Sequence, residues 1–354
     1  MSILPRVTIN LVVLNGEKYI RHYLDAILAQ TYTKEFIEFN ILDNGSTDKT
    51  KEIIRDLEFR ISSLGFTKFN LIESKLNFGM WPGQEELLKH SDGKYVLAMA
   101  VDVILDKDFI KNAVETMEKD DKIGALQAKI YKYDVRDLEI EIWKLKIGGT
   151  VDTCGFQIFK SRRLINIGHG EKDRPEFNNT REVFGVEGAC PFFRREALES
   201  CRISIPNSEI FDHDFFWYGD DFDLAWRMNL FGWKQVFDPS VVAWHDRQTT
   251  KALRKNWTDF IKIRRQIPLR KRQLEWLNIR FTIIKNDYII NILKDLPRIL
   301  KREITMTVYL AIFEPAVLLK IPVFLRLLPR MLKKRKEIMK RAVVKSEDIR
   351  RWFE

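Results

Sequence analysis

Cysteine is scarce in this chain: three in 354 residues, at positions 154, 190 and 201. An odd number at irregular spacing excludes a disulfide framework and a cysteine metal knuckle, and it suits a reducing cytosol. A long uninterrupted apolar run is also missing. The most apolar stretch, 304–332, contains Glu314, Lys320 and Arg326 as well as Pro315, Pro322 and Pro329. Charges at the centre of a membrane span are costly, so this stretch reads as broken amphipathic helices lying in an interface. The N-terminus, MSILPRVTINLVVLNGEKY, has only a short apolar run and no small-residue cleavage site, unlike a secretory signal. There is no internal repeat and no low-complexity segment.

Acidic residues are sparse at the C-terminal end. Residues 251–354 hold 27 Lys and Arg against 10 Asp and Glu, whereas 1–250 hold 33 against 40. An acidic body therefore carries a strongly basic tail, which suits an anionic partner. The tail's apolar content and its prolines 268, 297, 315, 322 and 329, which cut its helical stretches, argue against nucleic acid. They favour a phospholipid surface, with the KKRK run at 333–336 adding charge.

Within the body, short β-branched runs alternate with helical periodicity. VTINLVVLN (7–15), 36–42, 69–74, 94–102 and 123–133 read as strands, the first as a buried parallel one. Ile20, Tyr23, Leu24, Ile27 and Leu28 recur at helical spacing. Asp48 is expected to cap a helix that turns Ile53, Ile54, Leu57 and Ile61 inward. Pro82 is expected at the first position of a short helix, and Asp106 as the cap of another bearing Phe109, Ile110, Ala113, Val114 and Met117. Residues 134–185 are irregular, and 168–180 read as a mobile loop. KQVFDP and VVAWH (241–245) read as two short strands. The rhythm predicts an α/β fold with helices on both sheet faces over 1–250, followed by a helical tail over 251–354.

In such sheets ligands bind at the carboxyl ends of the strands, where Asn15, Asp43 and Asp102 are placed. Asp43 and Asn44 of LDNGSTDKT can hydrogen-bond a nucleobase or ribose, and Gly45 permits a tight turn. An Asx turn followed by a helix cap needs no ligand and is an equally good reading. Asp102 has the chemistry to hold Mg2+ or Mn2+ together with substrate phosphates, or merely to cap a turn. Asn77 and Gly79 of NFG reach the same edge, or form an ordinary turn. His245 ends VVAWH; beside Trp244 it reads first as a packed histidine and second as a ligand.

The densest chemistry is FFWYGDDFDLAWRM, 215–228. A helix starting near Asp220 and ending at Gly232 places Leu224, Met228 and Phe231 on its inner stripe. Asp223 stands four residues before Arg227, an ion-pair spacing. Asp220 and Asp221 remain as catalytic candidates. The helix N-terminus favours their charged form, while burial and mutual repulsion oppose it. Two carboxylates that only satisfy helix amides are the plain alternative.

Together, VTINLVVLNGEKYIRHYLDAILAQTY, LDNGSTDKT, NFG, the strand leading to Asp102, GACPFFRREAL, FDHDFFWYGDDFDLAWRMNLFGW and WH resemble the family 2 glycosyltransferases, within them the bacterial rhamnosyltransferase-like branch. The resemblance covers about residues 5–247. It implies a GT-A fold, a nucleotide-diphosphate-sugar donor, a divalent metal (Mg2+ or Mn2+) and inversion at the anomeric carbon. It implies nucleotide contacts from Asn15, Glu17, Asp43, Asn44, Ser46, Asn77 and Gly79, with Asp102 as a metal and donor ligand and His245 near the diphosphate. It implies Asp221 as base beside Asp220, with Trp217 and Tyr218 on the acceptor side. The chain departs from the family pattern at Ala100-Val101-Asp102, where the first polar position is lost, and at Asp220, where the family has glutamate.

The function expected on this basis is transfer of a sugar to a glycan or lipid-linked glycan at the inner face of the plasma membrane, in cell-surface polysaccharide synthesis. The rival is a nucleotide-sugar-binding protein without turnover, anchored by the same tail. Neither reading sets an oligomeric state.

Overall fold

The structure, a computed structural model, describes residues 4–63, 65–136, 145, 147–204, 207–247 and 257–354. Its centre is a mixed sheet. Strands β1 (Val7–Val13), β2 (Ile37–Asp43) and β3 (Lys68–Glu73) pair in parallel, and β4 (Tyr95–Met99) lies parallel on the other side of β1. Beyond β4 come β5 (Val103–Leu105), β6 (Ile123–Lys132) and β7 (Val151–Thr153). A small separate hairpin joins β8 (Phe156–Ile158) to β9 (Leu164–Asn166). β10 (Arg181–Glu182), β11 (Phe192–Arg194) and β12 (Lys234–His245) complete the set. The order is β10-β12-β6-β11-β4-β1-β2-β3, with β11 antiparallel to both neighbours. The two short strands expected at 234–245 are one strand, with its register shifted between Asp238 and Val242, around Pro239.

Side chains alternate across the sheet. Val7, Ile9, Leu11 and Val13 meet helices α1 (Glu17–Leu28), α2 (Thr50–Ser63) and, through β4 and β6, α4 (Phe109–Met117). Val96, Ala98 and Phe193 face the other way, toward α3 (Met80–Leu88), α5 (Arg195–Ser200) and α6 (Asp220–Leu230). Several helix starts differ from expectation. Pro82 is the third residue of α3, and α4 begins at Phe109 after Asp108, so Asp106 holds only the turn before it, accepting from the Asp108 N–H at 2.9 Å. Asp48 precedes α2 by two residues yet accepts from Thr50 N–H at 3.0 Å. The side chains of Leu57 and Ile61 lie outside the described residues. The 168–180 segment is tied down, with Phe177 buried and the Tyr131 hydroxyl donating to Asp173 at 2.6 Å.

The tail forms α7 (Trp257–Gln266), α8 (Leu269–Asn286), α9 (Ile289–Phe313), α10 (Pro315–Leu318), α11 (Ile321–Arg341) and α12 (Ser346–Arg350). Its prolines break less than expected. Pro268, Pro315 and Pro322 sit at helix starts, where a missing N–H costs nothing, while Pro297 and Pro329 lie inside helices. Among the described residues no single helix is long and apolar enough to cross a membrane, and α9 and α10–α11 meet at a 116° bend. Glu314, at that bend, is buried between Arg264 and Arg272 at 2.9 Å from each.

Four bases of the tail, Arg264, Lys271, Lys285 and Lys334, are buried. Lys285 is fully buried between Asp212 and Asp223, 2.9 Å from the latter. Lys334 contacts Glu209 (2.7 Å), Asp212 (2.5 Å) and Asp214 (3.1 Å). Arg162, from the body, meets Asp287 (2.7 Å) and Asp295 (2.8 Å) of the tail. Burial opposes ionisation of Asp212, but Lys285 and Lys334 outweigh it and hold that carboxyl well below the usual carboxylate range. Removing one partner of a buried pair strands the other. Lys285→Ala is therefore expected to cost about 3 kcal/mol of unfolding free energy in urea titration; a change under about 0.5 kcal/mol would show that the network is not structural.

Candidate functional site

Three loops meet at the carboxyl ends of β1, β2 and β3. Asn15 takes a left-handed backbone (φ 52°), which asparagine tolerates. Its N–H donates to Ser46 Oγ at 2.9 Å, and its Oδ1 accepts from Thr47 N–H at 2.8 Å. Glu17 accepts from Lys49 N–H at 3.3 Å, and Asp48 from Glu17 N–H at 3.1 Å. Asp43 is fully buried: it accepts from Ser46 N–H at 3.2 Å and meets Lys51 at 3.4 Å. Asp43 thus closes the turn onto Ser46, three residues on, without a ligand. Asn44 is also buried, donating to Asn77 Oδ1 at 2.9 Å and accepting from Phe78 N–H at 2.9 Å. Asn15 and Glu17 are exposed side chains left to meet a ligand.

A cleft of about 280 Å³ lies at the end of neighbouring β4, and none of these loop residues lines it. Its walls include Asp102, Glu187, Trp217, Tyr218, Asp221, His245 and Arg247. Asp102 lies in the turn between β4 and β5, and His245 ends β12 next to β5. Their closest atoms, Asp102 Oδ2 and His245 Nε2, are 3.4 Å apart. Behind them is buried Asp152, to which His245 Nδ1 donates at 2.9 Å and Arg247 Nε at 2.8 Å. Arg247 also holds Glu187 at 2.6 Å. Burial alone would lower the His245 pKa, but Asp102 and Asp152 overcome it and push it up to about 10.

These residues fit a divalent ion. At bond lengths of about 2.1 Å, adjacent ligands of an octahedral ion stand about 3 Å apart, close to the Asp102–His245 spacing. The Asp152 hydrogen bond holds Nδ1–H and turns Nε2 outward, where a bound ion would take the place of the proton that Asp102 draws there. Among the described residues no group of three His, Cys, Asp or Glu side chains could hold a metal, so further ligands would be water or substrate oxygens.

At the head of α6 the two aspartates separate. Asp220 is completely buried, neither oxygen has a hydrogen-bond partner, and it does not line the cleft. Burial, then neighbouring Asp221 and Asp212, raises its pKa well above the carboxylate range. Buried and outside the cleft lining, it does not shape the acceptor side. Asp221 faces the cleft, its Oδ2 accepting from Gly188 N–H at 3.1 Å and its Oδ1 from Phe222 N–H at 2.9 Å. Burial, then the Glu187 charge, pushes it up to about 7. Asp223 pairs with Arg227 at 2.9 Å as the spacing predicts.

Trp217 and Tyr218 stand over the cleft with ring centroids 4.4 Å apart. Phe216 (φ 62°) and Tyr218 (φ 68°) both adopt left-handed backbones, each costing of order 1–3 kcal/mol. The tail holds this shape. Asn278 of α8 donates through Nδ2 to the carbonyls of Phe215 (3.1 Å), Trp217 (2.9 Å) and Tyr218 (2.6 Å). Lys271 lies 4.0 Å from the Tyr218 ring centre. Gly79 closes the far side; at φ 90°, a Cβ there would sit 2.6 Å from the Phe216 carbonyl oxygen. The sequence reading missed Asp152, Glu187, Arg247 and Asn278. Only the polar residues within GVEGACPFF hinted at Glu187.

The family model described as Glycosyl transferase family 2 matches residues 8–202. A Methanococcus voltae protein named dolichyl N-acetyl-alpha-D-glucosaminyl phosphate 3-beta-D-2,3-diacetamido-2,3-dideoxy-beta-D-glucuronosyltransferase is 28% identical over 242 residues, 67% of this chain and 66% of the relative. An uncharacterized glycosyltransferase of Haemophilus influenzae is 31% identical over 122 residues, 34% of this chain and 36% of that protein. The chain thus spans under two thirds of these relatives' lengths. Among solved structures, a mannosyltransferase of Pyrobaculum calidifontis in complex with GDP-Man and Mn2+ superimposes with TM-score 0.53 at 18% identity, over 98% of this chain and 88% of that one. GalNAc-T7 with UDP, GalNAc and Mn2+ gives 0.51 at 12%, over 69% and 44%. The fold is GT-A.

Proposed function

This chain belongs to glycosyl transferase family 2, and on that premise we propose that it is an inverting glycosyltransferase using a nucleotide-diphosphate-sugar donor. The observation that carries the reading is Asp221, a cleft-facing carboxyl with a pKa of about 7, in one cleft with the Asp102–His245 pair. The acceptor sugar lies on Trp217 and Tyr218. Asp221 takes the proton of its hydroxyl as that oxygen bonds to the anomeric carbon. The bond from that carbon to the diphosphate oxygen breaks on the opposite face, and its electron pair leaves with the nucleoside diphosphate. Bound at Asp102 and His245, Mn2+ or Mg2+ would neutralise charge on that leaving group. Mn2+ in two similar solved structures supports this. Rhamnose is the sugar proposed from the sequence resemblance.

The acceptor is proposed to be lipid-linked, as the name of the Methanococcus voltae relative describes for its own. The enzyme is proposed to work at the inner membrane face. α9 supports this by exposing Leu293, Leu296, Leu300, Ile304 and Val308 along one side.

A thermal-shift panel of dTDP-, UDP- and GDP-sugars tests the donor. At least one is expected to raise Tm, more so with Mn2+, and Asp102→Asn is expected to abolish the extra rise. Absence of any shift would sink the enzyme reading. Stabilisation without turnover on any acceptor would favour the binding protein.

A further inference from the structure

We propose that the cavity between residues 159–164 and helices α7, α8 and α9 binds the phosphate of a membrane lipid. The proposal rests on the membrane-face reading above and gives it a defined headgroup site. The cavity measures about 580 Å³, within the range of small-molecule sites, and is separate from the catalytic cleft. Six bases line it. Arg264 and Arg302 are held by Glu314 and Glu303. The other four, Lys160, Arg163, Arg298 and Lys301, have no carboxylate partner among the described residues. Two acids share the walls: Glu275, 3.6 Å from Arg264, and Glu354, which accepts from Gln157.

Six bases against two wall carboxylates leave an excess of positive charge, and a phosphate would relieve the repulsion among the four unpaired cations. The floor is apolar, built from Leu164, Phe260, Ile279 and Met306, so the site suits an amphiphile better than a bare anion. Helical spacing supplies the rest. Arg298, Lys301 and Thr305 face the cavity at i, i+3 and i+7. Leu296, Leu300, Ile304 and Val308 form the exposed stripe alongside, at steps of four. With its headgroup in the cavity, a lipid's acyl chain would run along that stripe.

Titration calorimetry with dihexanoyl phosphatidic acid below its micelle concentration tests the site without a membrane's surface potential. Wild type is expected to bind, and Arg298→Ala/Lys301→Ala to bind about tenfold or more weakly. Lys333→Ala/Lys336→Ala removes equal charge from the exposed basic run outside the cavity and should stay within about twofold. Inorganic phosphate should bind more weakly than the lipid. No binding by wild type, equal loss in both double variants, or phosphate binding as tightly as the lipid would overturn the proposal. Nucleotide-sugar thermal shifts should be alike in all three proteins, so failure of the lipid site and failure of the glycosyltransferase reading are told apart.

Discussion

Asp221→Asn is expected to lower the rate of sugar transfer by about 10²–10⁴-fold, the usual contribution of a general base. Asparagine keeps the size and one acceptor for the Gly188 and Phe222 amides but cannot take a proton. The pH profile separates this role from a steric one. With the wild-type carboxyl at about 7, activity is expected to climb as pH rises toward 7 and level off above it. The variant's residual activity should lack that limb. A profile unchanged in shape, or a loss under about tenfold, would assign the base elsewhere.

The same shift acts on stability. The folded-state pKa is raised from 3.8 to about 7, so the folded protein keeps a proton that the unfolded chain releases. Stability contributed by this group is therefore lost as pH rises from about 4 to 7, and the penalty is complete above 7. Asp221→Asn should be the more stable protein at pH 8 by about 1–2 kcal/mol, after discounting for water in the cleft, with the gain vanishing near pH 4. Paired melting curves at pH 5 and pH 8 would show it.

Some of this was legible in the chain. β-branched runs are expected where strands are covered on both faces, and β1, β2 and β4 are buried along their whole length. Three neighbouring parallel strands then deliver Asn15, Asp43 and Asp102 to one edge. Helical spacing separated Asp223 from its neighbours through Arg227. The same spacing could not choose between Asp220 and Asp221. Adjacent residues differ by about 100° around a helix, and only tertiary packing shows that Asp220 is buried away from the cleft while Asp221 reaches the Gly188 amide.

Other features carry no local signal. Asp152 lies on a three-residue strand and reaches His245 across 93 positions of sequence. Net charge counts bases without saying where they point. Lys285 and Lys334 contribute to the tail's excess yet are buried against acids of the body. The tail therefore cannot be read only as a surface for anions, because α8 also forms part of the catalytic cleft's support.

That support yields the second large effect. The amide of Asn278 has two hydrogens aimed at three carbonyls of a segment holding two non-glycine residues in left-handed conformations. Without it those carbonyls are left unsatisfied and the strain at Phe216 and Tyr218 is unopposed. Asn278→Asp isolates the effect, since it keeps the volume but puts acceptors against acceptors. It is expected to lower kcat/KM for the acceptor by about 100-fold, corresponding to about 2.7 kcal/mol. Asn278→Ala should fall less, because its gap admits water. The donor's KM and its thermal shift should stay within about twofold of wild type, since the loops proposed to hold the nucleotide, 15–17 and 43–47, are held by their own hydrogen bonds. Equal losses toward donor and acceptor would reduce Asn278 to a fold-stability residue. Acceptor kinetics unchanged in Asn278→Asp would show that Trp217 and Tyr218 keep their positions without it.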